Sequence, residues 1–463
     1  MTQGVIATVL SLALYLSGVT GPSGSPAPST AYPAGSNAAP AYTEPAPSAP
    51  EGQRVTSSLG TTFTIGQRVG LTGTQVNLRV SPDNSSVIAA KASRGTGATL
   101  LDAGNGWAKL RLDTGETGWV SDWLVDSHAP VAPAGTTSSG SLKLSPGKVV
   151  FGYYTVNFPG DTDSYTSMVA NAKRLTGIIP FLFTLDSSGK VTGLHNQAAM
   201  AAAKERGLSN IALVHNLSGP WFSSSVIHGA LSNPVNRSRA VANIVSLVRT
   251  YGYDGVNIDF ESVPSYDRSA LTAFMGELAQ GLHPYGKLVS ISVPAKNYDQ
   301  PGNSWSGAYD YQALGKIVDL MMLMTYDEHF TSGPAGPVAS KQWVDSVASY
   351  AVSQVSPQKV VLGVPAYGYD WSGYGKAAAV GYDDAMALAR RYGRTVQWSS
   401  SAGAPYFTYY KNGSTHTVWF ESADSLLPKL DIVQRYGLKG IAIWRLGFED
   451  NRIWNVLGQR MAS

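Results

Sequence analysis

Apolar residues in the second part of the chain form eight short runs, and longer amphipathic segments separate them. Most of the runs are continuously apolar, which is typical of parallel strands buried on both faces. In chain order they are KVVFGYYTV (148–156), GIIPFLFTL (177–185), NIALVHNL (210–217), GVNIDFE (255–261), LVSISVP (288–294), VDLMMLMTY (318–326), KVVLGVPAY (359–367) and GIAIWRL (440–446). The intervening segments, such as NRSRAVANIVSLVRTYG, have a helical pattern and several end at glycine. Eight strand–helix units over residues 148–460 predict an α/β fold, a (β/α)8 TIM barrel.

An open doubly wound sheet is the alternative arrangement of such units. No glycine-rich phosphate loop follows the first apolar run, which favours the closed barrel.

The interval after the seventh run is too long for a single crossover helix. It contains helical DDAMALARRYG and the strand-like segments TVQWSS, APYFTYYKNG and HTVWFE, and the KNG sequence indicates a hairpin turn. We therefore predict a small α+β insertion at about 370–421, between strand 7 and helix 7. The crossover helix is ADSLLPKLDIVQRYG, closed by Gly437.

The first 147 residues show three other patterns. The apolar run VIATVLSLALYLSGV is short for a membrane span of ~20 residues, so we expect a signal peptide or anchor over 1–20. Residues 21–63 and 127–147 are rich in Pro, Ala, Ser and Gly and are predicted linkers. Between them, residues 64–126 alternate short apolar segments with turn residues, which predicts a small all-β barrel domain.

The overall composition excludes several classes of function. The net charge is only +3, and no run rich in Lys or Arg occurs, so we expect no nucleic-acid partner. The absence of cysteine excludes disulfides, thiolate metal sites and cysteine nucleophiles. His215 and His329 have no third partner at metal-ligand spacing, so we expect neither a metal nor another cofactor.

The fourth run, DGVNIDFE, carries the candidate chemistry. Asn257, Asp259 and Glu261 alternate with apolar residues, so all three point to one face of a strand. In a TIM barrel the carboxyl ends of the strands form the active site. Burial and a neighbouring carboxylate raise a carboxyl pKa, which can keep an acid protonated for cleavage of a glycosidic bond. The alternative is that these acids only cap loops or form ion pairs.

Three other predicted strands carry an aromatic residue at or near the carboxyl end, at positions whose side chains point to the same face as the acids. Tyr326 ends the sixth run, Tyr367 the seventh, and Trp444 lies near the end of the eighth. Because the carboxyl ends of barrel strands share one rim, we expect these side chains to converge on the acids of the fourth strand.

These motifs resemble two known families. Residues 148–458, with DGVNIDFE, MTYD, GVPAYGYDW, VWFES and Trp444, resemble the chitinase-like glycoside hydrolases of family 18. Residues 64–126, with TQVNLRVSPDNSSV, GNGWAKLRL and GETGWVSDWLV, resemble the bacterial Src-homology-3-like domain of cell-wall enzymes. The second resemblance implies that residues 64–126 bind the cell wall.

The first resemblance implies a substrate-assisted retaining mechanism, an exception to the usual scheme of two carboxylates. It implies that Glu261 is the acid and base, that Asp259 stabilises an oxazolinium-like ion, and that Tyr326 orients the acetamido oxygen. It also implies a substrate-binding set, with Trp444 as the floor of the sugar site. The members of this set are Asn257, Asp327, Trp444, Tyr367 and Tyr153.

Three departures from the chitinase pattern indicate a particular branch. Many chitinases have Asp where this chain has Asn257, and they usually have Ser-x-Gly-Gly where this chain reads LVHNLSG. The last strand continues as WRLGFED. These features resemble the bacterial branch of spore-cortex-lytic N-acetylglucosaminidases.

We therefore expect a secreted or cell-wall- or spore-associated monomer that cleaves β-1,4 linkages of an N-acetylglucosamine-containing polysaccharide, peptidoglycan above all. A chitinase or chito-oligosaccharide hydrolase is the close alternative. A non-catalytic, lectin-like wall or spore-coat protein is a further one, which the intact Glu261 disfavours.

Overall fold

The structure is a computed structural model that describes residues 52–58, 62–73, 76–93, 96–113, 115–126 and 147–461. The described chain divides into two compact units, one up to residue 126 and one from residue 147. The predicted signal peptide or anchor, and nearly all of the linker at 127–147, lie outside the described residues.

The regular structure among the described residues of the first unit is β, as predicted, apart from one short 3-10 turn. Strands β3 to β9 form an antiparallel sheet in the order β5-β4-β8-β7-β6-β3-β9, and β1 pairs with β2. The strands are β1 (Arg54–Thr56), β2 (Thr62–Thr64), β3 (Arg68–Leu71), β4 (Val76–Arg79), β5 (Ile88–Ala92), β6 (Gly97–Gly104), β7 (Trp107–Leu112), β8 (Thr117–Ser121) and β9 (Val125–Asp126).

This unit begins earlier than its predicted boundary at residue 64. Strands β1 and β2 fall in the segment predicted as linker, and Phe63 is buried in the core of the unit. Strands of three residues are too short to show alternation against a polar background, which is why the sequence pattern missed them.

The second unit is a closed barrel of eight parallel strands, which confirms the predicted fold class. Its strands lie in the order β10-β11-β13-β16-β17-β18-β19-β25, and β10 pairs with both β11 and β25 to close the ring. Strands before the insertion are β10 (Val149–Tyr154), β11 (Gly177–Leu185), β12 (Val191–Gly193), β13 (Ser209–His215), β14 (Leu217–Ser218), β15 (Trp221–Phe222), β16 (Gly255–Asp259), β17 (Leu288–Pro294), β18 (Leu320–Met324) and β19 (Val360–Pro365), and β25 (Gly440–Trp444) follows it.

Helices connect successive barrel strands. Gly252 and Gly437 have left-handed φ angles just after two of them, as expected for glycine at a helix end. The helices are α1 (Asp163–Asn171), α2 (Gln197–Glu205), α3 (Ser224–Ser232), α4 (Pro234–Thr250), α5 (Arg268–Leu282), α6 (Tyr311–Ile317), α7 (Lys341–Gln354), α8 (Tyr382–Arg391), α9 (Ala423–Arg435) and α10 (Ile453–Arg460). None of the helices in the described ranges combines the length and apolar character needed to span a membrane.

The insertion follows β19 and is an α+β unit, as predicted. Its antiparallel sheet has the order β21-β20-β24-β23-β22, and α8 shares an apolar cluster with one face. The predicted KNG hairpin joins β23 to β24, with positive φ at Asn412 and Gly413. The strands are β20 (Tyr367–Gly373), β21 (Lys376–Gly381), β22 (Gln397–Ser399), β23 (Ala404–Lys411) and β24 (Ser414–Trp419). The sequence pattern missed β20 and β21.

Closure of the barrel depends on a glycine in its last strand. A Cβ atom built on Gly440 would lie 1.9 Å from the carbonyl oxygen of Val149 on β10. That oxygen belongs to the main chain of a paired strand, so it cannot move aside without opening the barrel.

We therefore expect Gly440→Ala to lower the free energy of unfolding by about 1–3 kcal/mol or to prevent folding. Gly302→Ala is the matched control, because a Cβ there has no atom within 4 Å. Its free energy of unfolding should stay within about 0.5 kcal/mol of wild type. Urea unfolding measures both values, and equal stability of the two variants would contradict the steric account.

Candidate active site

The carboxyl end of β16 carries the predicted polar residues on one face. Asn257 and Asp259 lie on the strand, Glu261 follows two residues later, and all three are buried. Their alternate neighbours Val256 and Ile258 belong to the apolar core. The polar and apolar side chains of the fourth strand therefore alternate between its two faces, as predicted.

Two serines on the neighbouring strand β17 bind Asn257. The Asn257 Nδ2 donates to Ser290 Oγ at 3.1 Å, and Ser292 Oγ donates to Asn257 Oδ1 at 2.9 Å. Ser292 Oγ also lies 3.2 Å from the hydroxyl of Tyr153 on β10. Side chains from three strands thus meet inside the barrel. The two serines were not predicted as site residues, although polar residues at alternate positions in LVSISVP were a usable signal.

The Asp259 carboxyl group lies in this interior and resists ionisation. Burial raises its pKa to about 7, and the nearby hydroxyl of Ser292 opposes the shift. The group is therefore poised to change charge close to neutral pH.

Glu261 is the group best suited to donate a proton. Burial raises its pKa well above the ordinary value, and the charges of Asp259 and Asp327 raise it further. Its Oε1 atom is buried and has no hydrogen-bond partner in the part of the chain that the structure describes. An acid that stays protonated and keeps one oxygen free can act on an incoming group.

Tyr326 and Asp327 lie just past the end of β18. The hydroxyls of Tyr367 and Tyr369 both donate to Asp327 Oδ1, at 2.6 and 2.8 Å. Burial raises the pKa of Asp327 to about 6, and these two hydrogen bonds oppose the rise. Burial and the nearby Tyr153 raise the pKa of Tyr326, so its hydroxyl remains a donor at neutral pH.

Trp444 ends β25 and packs edge-on against two rings. The ring centroids of Tyr153 and Phe181 lie 5.1 and 5.6 Å from that of the indole. Phe181 stacks on His215 at 4.0 Å, and burial lowers the pKa of His215 to about 3, so this imidazole stays neutral. Phe181 was not predicted as a member of this aromatic group.

The structure brings all the predicted site residues to one end of the barrel, which we call the barrel mouth. Hydrogen bonds and ring contacts connect several of them, and the electrostatic influence of Asp259 reaches both Tyr153 and Tyr326. The members are Tyr153, Asn257, Asp259, Glu261, Tyr326, Asp327, Tyr367 and Trp444. Their individual roles stay predictions.

Among the described residues, no three His, Cys, Asp or Glu side chains are grouped so that they could hold a metal ion.

Comparison with known families identifies both units. Residues 149–449 match the model of the glycosyl hydrolases family 18, which covers well over half of the chain. The chain belongs to the family 18 glycosyl hydrolases. Residues 74–126 match the model of the bacterial SH3 domain. Both resemblances found in the sequence are therefore confirmed.

Three similar proteins indicate which members of family 18 this chain resembles. YdhD of Bacillus subtilis (strain 168), named as a sporulation-specific glycosylase, is 37% identical over 258 residues, which cover 55% of this chain and 61% of YdhD. The spore cortex-lytic enzyme SleL of Bacillus megaterium QM B1551 is 29% identical with a TM-score of 0.64, covering 69% of this chain and 76% of SleL. A chitinase from Chromobacterium violaceum ATCC 12472 is 31% identical with a TM-score of 0.64, covering 68% of this chain and 99% of the chitinase. The matched region thus spans less than two thirds of YdhD.

The raised pKa of Asp259 makes a prediction about stability. The pKa is higher in the folded chain, about 7, than the ordinary value of 3.8, so the folded state binds a proton more tightly between these values. Folding then becomes less favourable as the pH rises through this window. Asp259→Asn removes this effect, so the melting temperature of the variant relative to wild type should be higher at pH 8 than at pH 5.

Asp186→Asn is the control for this measurement. Burial raises the pKa of Asp186, but hydrogen bonds from Ser188 and Lys190 outweigh it and lower the pKa overall. Asp186 is thus ionised at both pH values, so its variant should show a constant difference from wild type. Calorimetry at both pH values gives these differences in melting temperature. A pH-independent difference for Asp259→Asn would contradict the raised pKa of Asp259.

Proposed function

We propose that this family 18 protein is an exported glycoside hydrolase that cleaves β-1,4 linkages of N-acetylglucosamine in peptidoglycan. The observation that carries the proposal is the buried Glu261, whose raised pKa and unpartnered Oε1 suit a proton donor. Membership of the family supplies the reaction class.

In the proposed reaction, Glu261 first acts as the acid. It donates its proton to the glycosidic oxygen as the bond to the anomeric carbon breaks. The carbonyl oxygen of the sugar's own 2-acetamido group attacks that carbon, so the intermediate is an oxazolinium-like ion rather than an ester of the enzyme. The ionised Glu261 then takes a proton from a water molecule, which opens the ion and retains the configuration.

Asp259 and Tyr326 serve the acetamido group in this scheme. Asp259 accepts the acetamido N–H, and its negative charge stabilises the positive charge that develops on the ring. Tyr326, whose hydroxyl stays protonated, donates to the acetamido oxygen and aligns it for attack. Asp327, held by Tyr367 and Tyr369, accepts from the sugar, and Trp444 lies under the ring.

Two observations favour peptidoglycan as the polymer. The matched solved structures include the spore cortex-lytic enzyme SleL, and a bacterial SH3 domain precedes the barrel. We propose that this domain binds the cell wall and that the protein acts as a monomer, secreted or associated with the wall or spore.

Chitin is the second candidate polymer, since the similarity to the Chromobacterium violaceum chitinase covers nearly all of that enzyme. Chitin and peptidoglycan both offer the 2-acetamido group, so the proposed reaction suits either. A lectin-like role without cleavage would leave the buried acid at 261 without a purpose.

Glu261→Gln should abolish turnover and leave polysaccharide binding in place, because glutamine keeps the shape of the side chain but cannot donate the proton. We expect kcat to fall by about 10²–10⁴-fold or more. The matched control is Glu277→Gln, which removes a partly exposed carboxylate paired with Arg237 on the outer helices. It should keep wild-type kcat. Turnover near the wild-type rate in Glu261→Gln would refute the assignment of the acid.

The polymer is tested by digesting purified peptidoglycan and chitin oligomers in parallel and identifying new reducing ends by mass spectrometry. Peptidoglycan fragments that end in N-acetylglucosamine are the expected result. Products from chitin alone would favour the second candidate, and no product from either polymer would overturn the proposed activity.

A further inference from the structure

Asn216 stands in the LVHNLSG segment, where this chain departs from the Ser-x-Gly-Gly pattern of many chitinases. It directly follows β13, and its side chain is completely buried. A fully buried amide needs partners for two N–H donors and a carbonyl oxygen. The structure shows where each of them goes.

The Asn216 amide makes a reciprocal pair of hydrogen bonds with the main chain of Glu261. Its Oδ1 accepts from the Glu261 N–H at 2.8 Å, and its Nδ2 donates to the Glu261 carbonyl oxygen at 2.8 Å. The second N–H of Nδ2 donates to the carbonyl oxygen of Ser223 at 3.1 Å. The parallel pairing of β13 with β16 ends at His215 and Asp259. Beyond that point the side-chain amide takes the place of a peptide group and extends the pairing to Glu261.

A second contact holds the residue before Glu261. The hydroxyl of Tyr309 donates to the carbonyl oxygen of Phe260 at 2.6 Å, and both residues are buried. Tyr309 is fixed in turn, because the Lys296 ammonium group donates to its carbonyl oxygen at 2.5 Å. Lys296 is also paired with Asp299 at 2.8 Å.

The main chain near Glu261 needs such support. Ser262, the next residue, has a φ of 55°, a left-handed conformation that is strained for a residue other than glycine. Strand pairing has already ended, and the buried Oε1 of Glu261 has no hydrogen-bond partner among the described residues. The position of the carboxyl group therefore depends on the main chain that carries it.

We propose that Asn216 and Tyr309 are positioning residues, which hold the main chain on either side of the Glu261 carboxyl group and so aim it at the bond to be cleaved. This inference rests on the proposed function. The two residues bind main-chain atoms of 260 and 261, so neither needs to touch the substrate. Their loss should reduce kcat much more than it raises KM, because binding uses the other residues of the barrel mouth.

The first test is Asn216→Ala, assayed with a fluorogenic glycoside of di-N-acetylchitobiose. We expect kcat to fall by about 10²-fold, the effect of a displacement of about 1 Å at a reacting group, with KM changed far less. Asn243→Ala is the matched control. Asn243 is a buried asparagine on α4 whose Nδ2 donates to the carbonyl oxygen of Gly189 at 2.7 Å, and neither residue is a member of the barrel mouth. Its variant should lose thermal stability but keep wild-type kcat.

The second test is Tyr309→Phe, which removes one hydroxyl and changes little else. It keeps the inference testable if Asn216→Ala fails to fold. We expect kcat to fall about three- to tenfold, the equivalent of one net hydrogen bond. Tyr311→Phe is its control, because that hydroxyl donates to the carbonyl oxygen of Pro294 at 2.6 Å on a strand without an acid. The control should keep wild-type kcat.

The outcomes separate this inference from the function on which it rests. Suppose that the wild type is active, and that Tyr309→Phe and a folded Asn216→Ala variant both keep wild-type kcat. That result would overturn the positioning roles alone. Equal losses of kcat in the variants and their controls would also overturn them, since a general structural effect would then suffice. A wild type without turnover on this glycoside, on peptidoglycan and on chitin would overturn the proposed function and this inference together.

Discussion

Closing eight parallel strands into a ring gives them a common interior, and this protein buries carboxyl groups at one end of it. Asp259 and Glu261 are each at most 5% exposed; Asp259 ends β16, and Glu261 follows two residues later. Water cannot stabilise their charges there, so burial is the largest cause of both raised pKa values. The two groups cannot easily be ionised together, which leaves a proton on the site near neutral pH.

The groups around the buried acids are mostly neutral, which helps the site to keep a proton near neutral pH. The Ser292 hydroxyl lies near Asp259, and two tyrosine hydroxyls donate to Asp327. Hydroxyl donors lower a carboxyl pKa less than a cation at the same distance would. A guanidinium group in their place would hold the carboxylates ionised and remove the proton that the proposed reaction uses.

Much of this arrangement could be predicted because it is periodic. Parallel strands buried on both faces give continuous apolar runs, and the alternation in DGVNIDFE places its polar residues on one face. Asn216 and Tyr309 could not be found in this way, because their partners are main-chain atoms 45 and 49 residues away. Strand β20 was missed because it follows the seventh barrel strand after only Ala366, so the two read as one run.

The central claim is that one acid donates the proton while the sugar supplies the nucleophile. The most direct test compares turnover of two fluorogenic β-glycosides that differ only at C2 of the cleaved sugar, where one has an acetamido group and the other a hydroxyl. The account predicts hydrolysis of the acetamido glycoside and no detectable hydrolysis of the other. Comparable kcat values for the two glycosides would show that the nucleophile comes from elsewhere and would contradict it.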